Sequence, residues 1–265
     1  MMQLSTEERI RGVVTASSGN HALGVALAAK FLGIFAIIVV PMNVSKAKLN
    51  KMKEYDIKVV QEGDFEEIYT KAREISTSKG LTYISSYNDL EVIAGHGTIG
   101  LEIYEDIEHI DSIIVPVGGG SLISGIAIAI KSLDPNIRII GVQTEGASTM
   151  YESWKARRVV NIEEYHTLAE GLLGGLDPDA ITLKLIQKYV DELVLVKERS
   201  IEEAICLLWK KEGQIVEGAG ATVIAHILEE KRKFAKKNVV AVVSGGNIED
   251  HLFQEILRTE QTSKD

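Results

Sequence analysis

Val13-Val14-Thr15-Ala16-Ser17-Ser18-Gly19-Asn20-His21 opens the stretch that decides the fold, which runs on through an alanine-rich segment to Gly33 and then Ile34-Phe35-Ala36-Ile37-Ile38-Val39-Val40-Pro41. The apolar residues at 13 and 14 and the run from 34 to 40 suit buried parallel strands. Ala22 to Leu32 holds helix formers and ends at a glycine placed to stop a helix. The stretch therefore reads as strand, polar turn, helix, strand. In the turn, Ser17, Ser18, Gly19, Asn20 and His21 lie where a helix begins, so backbone N–H groups and the positive end of the helix dipole face one point. An anion is the expected ligand there.

Working outward, the 265 residues are 45% hydrophobic and 25% charged, enough for one large or two modest domains with a real core. A net charge of −9 disfavours nucleic acid and anionic membrane surfaces as partners and favours small metabolites. Cys206 is the single cysteine, which excludes an internal disulfide framework, fits a reducing compartment, and reads as a small buried apolar side chain beside Ile205 and Leu207. The N-terminus lacks the apolar core of a signal peptide, so a cytoplasmic location is expected. Residues 22 to 40 approach the length of a membrane span, but Lys30, two glycines and the change to β-branched composition make helix then strand the better account.

The same alternation continues. Glu7 to Arg11 reads as the polar end of a helix. Ser45 caps a helix over 46 to 55, Ile57 to Val60 is a strand, and the turn at Glu62-Gly63-Asp64 leads into a helix through Lys79 before a strand at Leu81 to Ser85. A helix over 90 to 106 with Ile93, Gly97, Leu101 and Tyr104 on one face precedes the strand Ile113 to Val117. Gly118-Gly119-Gly120 then leads into a helix from Ser121 to Leu133, and Ile137 to Val142 is the next strand. Past an irregular region, Asp177-Pro178 suits an N-cap followed by proline at the first helical position, and Ser200-Ile201-Glu202-Glu203 suits a capping box after the strand Leu193 to Val196. Lys231-Arg232-Lys233 suits a solvated helix end. Val239 to Val243 is the eighth strand, followed by a short helix. Strands alternating with helices and no low-complexity linker indicate α/β with parallel sheets.

Three loops share one design: residues 17 to 20, 118 to 121 and 244 to 247 each leave the carboxyl end of a strand and enter a helix with glycine, the edge where open α/β sheets bind ligands. The middle loop is the strongest phosphate candidate, because glycines let the backbone approach closely and Ser121 adds a hydroxyl. It is not a P-loop, since Gly120 and Gly125 are followed by Ile126 and Ala127. Nor does it match a dinucleotide fingerprint, which needs a small residue at Ile123 and an acid where Gln143-Thr144 ends the next strand. A single phosphate ester is the expected ligand.

Taken with their spacing, these residues resemble the fold-type II pyridoxal-phosphate enzymes, within them the threonine/serine dehydratase and serine racemase group. The motifs that carry the resemblance are Ser17 to Ala26, Ala94-Gly95-His96-Gly97-Thr98-Ile99-Gly100-Leu101-Glu102, Val115 to Leu122, Glu217-Gly218-Ala219-Gly220-Ala221 and Ser244-Gly245-Gly246-Asn247, in family order across nearly the whole chain. The resemblance implies two parallel-sheet α/β domains of the tryptophan-synthase-β-like architecture, a small one over 1–86 and a large one over 87–265. It implies pyridoxal 5'-phosphate as cofactor, with Asn20 on the ring oxygen, Gly118, Gly119, Gly120, Ser121 and Leu122 around the phosphate, and Ser244 at the pyridine nitrogen. Ser17, Ser18, Gly19, Asn20 and His21 would receive the carboxylate of threonine or serine. The implied reaction removes the Cα proton and the β-hydroxyl and yields a 2-oxo acid and ammonia. A homodimer or homotetramer is implied.

The family's Schiff-base lysine precedes the turn at 17–21 by some tens of residues, and this sequence is expected to lack that segment. Arg9-Ile10-Arg11-Gly12 echoes it, but arginine stays protonated and forms no Schiff base. Ser121 stands where the family often has a fourth glycine. Gln143 and Thr149 stand where racemase-like members place carboxylates for a divalent cation, so no metal is assigned, and the six histidines are read as structural, His96 as a surface or packing residue. Ser18 stands where racemases carry an acid/base serine, and turn chemistry with carboxylate binding is its simpler role. A racemase and a non-catalytic binder of cofactor or amino acid are the alternatives.

Overall fold

The structure, a computed structural model, describes residues 1–64 and 67–262. The chain divides into two compact units, Met1–Glu91 and Val92–Asp265. In the first, α1 (Thr6–Arg11), β1 (Val13–Ala16), α2 (Asn20–Leu32), β2 (Ala36–Pro41), α3 (Lys46–Lys53), β3 (Lys58–Glu62), α4 (Glu67–Lys79) and β4 (Thr82–Tyr83) follow in order. The strands form one parallel sheet in the order β3-β2-β1-β4, with Val13 to Ala16 beside Ala36 to Val39. Both faces are covered, so alternate residues of β2 serve two cores: Ile38 and Val40 pack with Ala22, Ala26 and Met52, while Ile37 and Val39 pack with Ile68, Ala72 and Ile75. That is why β2 is a continuous apolar run.

The second unit contains α5 (Leu90–Asp106), whose first two residues belong to the first unit, then β5 (Ser112–Pro116), α6 (Ser121–Leu133), β6 (Arg138–Thr144), α7 (Thr149–Ala156), a 3-10 turn (Glu170–Leu172), α8 (Ile181–Tyr189), β7 (Glu192–Val196), α9 (Glu198–Glu212), α10 (Gly218–Glu229), α11 (Lys231–Phe234), β8 (Val239–Ala241) and α12 (Asp250–Thr262). Its sheet is parallel in the order β7-β6-β5-β8. Ile114, Ile140, Val142 and Val196 face a core completed by Ile201, Ile205 and Val223, among which the buried Cys206 thiol donates to Ile256 C=O at 3.8 Å. Among the described residues no helix is long and apolar enough to cross a membrane, and residues 22 to 40 divide into α2 and β2.

Several boundaries differ from the expectation. The start of α4 expected after Asp64 includes residues 65 and 66, which lie outside the described residues. On α5 the buried seam is Ile93 and Gly100, while Leu101 and Tyr104 are exposed, because α5 crosses α6 at glycines: a methyl on Gly125 would lie 2.3 Å from the Ile93 carbonyl oxygen and 2.7 Å from Gly97 N. Asp177-Pro178 forms a turn closed by Ala180 N–H to Asp177 C=O, 2.9 Å, and α8 starts later at Ile181. No capping box opens α9 at Ser200, since the helix has begun at Glu198. Lys233 is no loose helix end: its ammonium meets both Glu192 carboxylate oxygens at 2.9 and 3.0 Å. The last helix, expected to be short, spans 13 residues.

Candidate functional site

The first unit presents the turn at 17–21. Ser17 N–H extends the β1 ladder to Val39 C=O at 3.1 Å, and the Ser17 hydroxyl accepts from Gly19 N–H at 3.2 Å, which tightens the turn. Helix α2 starts at Asn20 behind Gly19, an N-cap residue that makes no side-chain cap, and the positive end of its dipole suits an anion. Ser17, Ser18 and Gly19 are half-buried and Asn20 is exposed. His21 is held from below. The buried Thr15 hydroxyl donates to Ile84 C=O at 2.8 Å, so its oxygen is left to accept from His21 Nε2–H at 2.9 Å. This places the ring proton on Nε2 and makes His21 the pin that fixes the first turn of α2 to the sheet. A local pattern cannot announce that role, because Thr15 and Ile84 are 69 residues apart.

The second unit presents the turn at 118–122. Gly118 and Gly119 are half-buried. Gly120 sits in the left-handed region at φ 91° and is followed by α6, which again has no side-chain cap. The turn is a cradle that side chains would close: a Cβ on Gly118 would lie 3.2 Å from Leu172 Cα, and one on Gly120 would lie 2.7 Å from Ile186 Cδ1 and 3.0 Å from Met150 Cε. A glycine N-cap, a helix dipole and backbone stripped of side chains fit a phosphate monoester. Ser121 is buried and tolerated at the first helical position. Its backbone hydrogen-bonds the His96 ring, which burial holds below the ordinary imidazole range against the smaller upward effect of that bond. His96 is thus a packing residue against the turn, half-buried, with Nδ1 lacking a partner among the described residues.

The third loop, 244–247, is fixed by Glu217, the first residue of the motif at 217–221, in a bracing role that the motif does not announce. Glu217, at the N-cap of α10, donates its N–H to Gly245 C=O at 3.1 Å and accepts Asn247 N–H on its carboxylate at 2.9 Å. Ser244 is exposed at the wall of a cleft of about 380 Å³ that Ile215, Val216 and Val243 also line. Two further buried-side carboxylates brace the irregular region. Glu164 accepts from the Thr149 hydroxyl at 2.6 Å and from Gly174 N–H at 2.7 Å. Glu198 accepts from the Thr144 and Thr167 hydroxyls and from Leu168 N–H. The Gln143 carbonyl takes Tyr151 N–H at 2.6 Å, so the side chains of Gln143 and Thr149 both serve the protein's own framework. Among the described residues no group of three or more His, Cys, Asp or Glu could hold a metal ion.

Residues 1–245 match a family model described as pyridoxal-phosphate dependent enzyme. The sequence is 45% identical over 255 residues to an L-threonine ammonia-lyase of Thermotoga maritima, covering 96% of this chain and 63% of that protein. This chain therefore spans about three-fifths of that relative's length. Its structure is similar to the processed form of threonine deaminase isoform 2 from Solanum lycopersicum, with a TM-score of 0.91 and 36% identity over 97% of this chain and 76% of that one. Maize serine racemase is similar at a TM-score of 0.88 and 33% identity, over 99% of this chain and 81% of the other.

Proposed function

The chain belongs to the pyridoxal-phosphate-dependent enzyme family, and on that premise we propose that it is a threonine and serine ammonia-lyase, a dehydratase that turns the amino acid into a 2-oxo acid and ammonia. The observation that carries the proposal is the uncapped, glycine-walled start of α6. When bound, pyridoxal phosphate supplies an electron sink for the pair left at Cα. In the second unit Gly118, Gly119, Gly120, Ser121 and Leu122 would hold its phosphate through backbone N–H groups and Ser244 would serve the pyridine nitrogen; in the first unit Asn20 would bind the ring oxygen. Ser244 is a neutral hydroxyl and would not hold that nitrogen protonated as a carboxylate would.

Ser17, Ser18, Gly19 and Asn20 bind the substrate carboxylate at the positive end of α2, and His21 keeps that end in register through Thr15. None of this chain's lysines is assigned the base at Cα. A second reading, racemisation, draws on the likeness to maize serine racemase and on the half-buried Ser18, whose hydroxyl would exchange a proton on one face of Cα. The exposed Phe31, Leu101 and Tyr104 support a homodimer or homotetramer, and a single buried cysteine in the sequence suits a cytoplasmic setting.

The test is incubation of the chain with pyridoxal phosphate and L-threonine, with 2-oxobutanoate read by its dinitrophenylhydrazone. Cofactor-dependent 2-oxobutanoate is the expected result. Inversion of serine on chiral chromatography, without any 2-oxo acid, would select the racemase.

A further inference from the structure

Helix α8 packs its buried face, Thr182, Leu183 and Ile186, inside the second unit. Thr182 and Ile186 are one turn apart and both lie against the turn that precedes α6: a Cβ placed on Gly120 would be 3.2 Å from Thr182 Cβ and 2.7 Å from Ile186 Cδ1. With Met150, these are the nearest neighbours of Gly120, and Thr182 is the polar one of the three. It is fully buried, and its hydroxyl has no hydrogen-bond partner among the described residues.

A threonine on a helix ordinarily returns its hydroxyl to a carbonyl three or four residues earlier, as Thr222 does to Ala219 C=O at 2.8 Å. Thr182 is the second residue of α8, so those earlier carbonyls lie outside the helix. A buried hydroxyl left unpaired is destabilising, and valine has the same shape without that penalty. The hydroxyl thus stands idle beside an uncapped helix start that suits an anion.

We infer that the Thr182 hydroxyl is a side-chain hydrogen-bond donor of the phosphate site at the start of α6. The inference rests on the cofactor assignment above and extends it to a residue outside every glycine motif. A neutral donor suits this place: it adds a bond to the phosphate without placing a fixed charge in the apolar lining of Ile186 and Met150.

The test compares the 265-residue chain with Thr182→Val and Thr182→Ser by calorimetric titration. Pyridoxine 5'-phosphate and pyridoxine are the probes, because neither carries an aldehyde that would react with surface lysines. A hydrogen bond to a charged group is worth enough that Thr182→Val should bind the phosphate ester about tenfold more weakly. Its affinity for pyridoxine should be unchanged, Thr182→Ser should stay close to the parent, and unliganded Thr182→Val should melt no lower than the parent.

Equal affinity of the parent and Thr182→Val for the ester would overturn the inference while leaving the cofactor assignment intact. Equal weakening for both probes, or a lower melting temperature without ligand, would also overturn it, by assigning the side chain to packing. Failure of the parent to bind the ester would overturn the cofactor assignment and the inference with it.

Discussion

Gly125→Ala and Gly95→Ala add the same methyl to neighbouring helices and should move stability in opposite directions. Gly95 lies in α5, where an added Cβ meets nothing within 4 Å. Replacing glycine by alanine within a helix gains up to about 1 kcal/mol in backbone propensity. At Gly125 the same gain is available, but the new methyl would lie 2.3 Å from Ile93 O, 2.7 Å from Gly97 N and 2.8 Å from His96 Cβ. Two of these are backbone atoms, so no rotamer change relieves them. Helix α5 must retreat by roughly 1 Å to restore ordinary van der Waals separation. Overpacking of this kind costs about 1–3 kcal/mol, and contact with backbone on two sides belongs at the upper end, leaving Gly125→Ala about 2 kcal/mol less stable. At about 2–4 °C per kcal/mol for a unit of this size, that is a melting temperature about 4–8 °C lower, against a rise of about 2–4 °C for Gly95→Ala. Both tryptophans, Trp154 and Trp209, lie in the second unit, so their fluorescence follows the relevant transition. Gly125→Ala at or above the parent's melting temperature would refute the close α5/α6 crossing.

The remaining predictions use the hydrogen bonds and the titrating groups. Thr15→Val removes the donor to Ile84 C=O and the acceptor for His21, and should destabilise the first unit by about 1–3 kcal/mol, read from faster amide exchange at the start of α2. Glu217→Ala leaves Asn247 N–H without its carboxylate and should quicken amide exchange across 244–247 while sparing β5. Burial keeps His96 and His226 below the ordinary value of 6.5, with Lys233 adding to the effect at His226. Between the lowered folded values and 6.5 the unfolded chain binds more protons. Stability is therefore complete above pH 6.5 and declines as pH falls below it, and urea midpoints should drop between pH 7.5 and 5. His226→Gln should flatten that decline.

Much of the fold is legible in the sequence because the relevant forces are local or strongly periodic. The continuous apolar run of β2 reflects a strand covered on both faces, and Gly33 closes α2 in the left-handed conformation with its N–H on Ala29 C=O. The glycine turn before α6 is legible for the same reason, since only a residue without Cβ suits φ 91° among Ile186, Met150 and Thr182. Where local pattern misleads, a distant contact has taken the residue. Glu198 opens α9 two residues ahead of the capping-box pattern and turns its carboxylate to Thr144, Thr167 and Leu168. Asp177-Pro178 has the composition of a helix start, yet the chain makes a turn there and α8 begins at Ile181. Leu101 and Tyr104 share the spacing of a buried stripe, but small residues set the α5 crossing and leave both exposed. His21, Glu217 and Thr182 acquire their roles only through partners or neighbours at least six residues away in sequence, and usually much farther, so no spacing rule could have assigned them.

We propose that the backbone at the start of α6 binds the phosphate of pyridoxal phosphate. Amide ¹⁵N–¹H spectra recorded while the cofactor is added test it most directly. The largest shifts are expected at Gly118, Gly119, Gly120, Ser121 and Leu122; saturable binding that leaves these five amides unmoved would rule this phosphate site out.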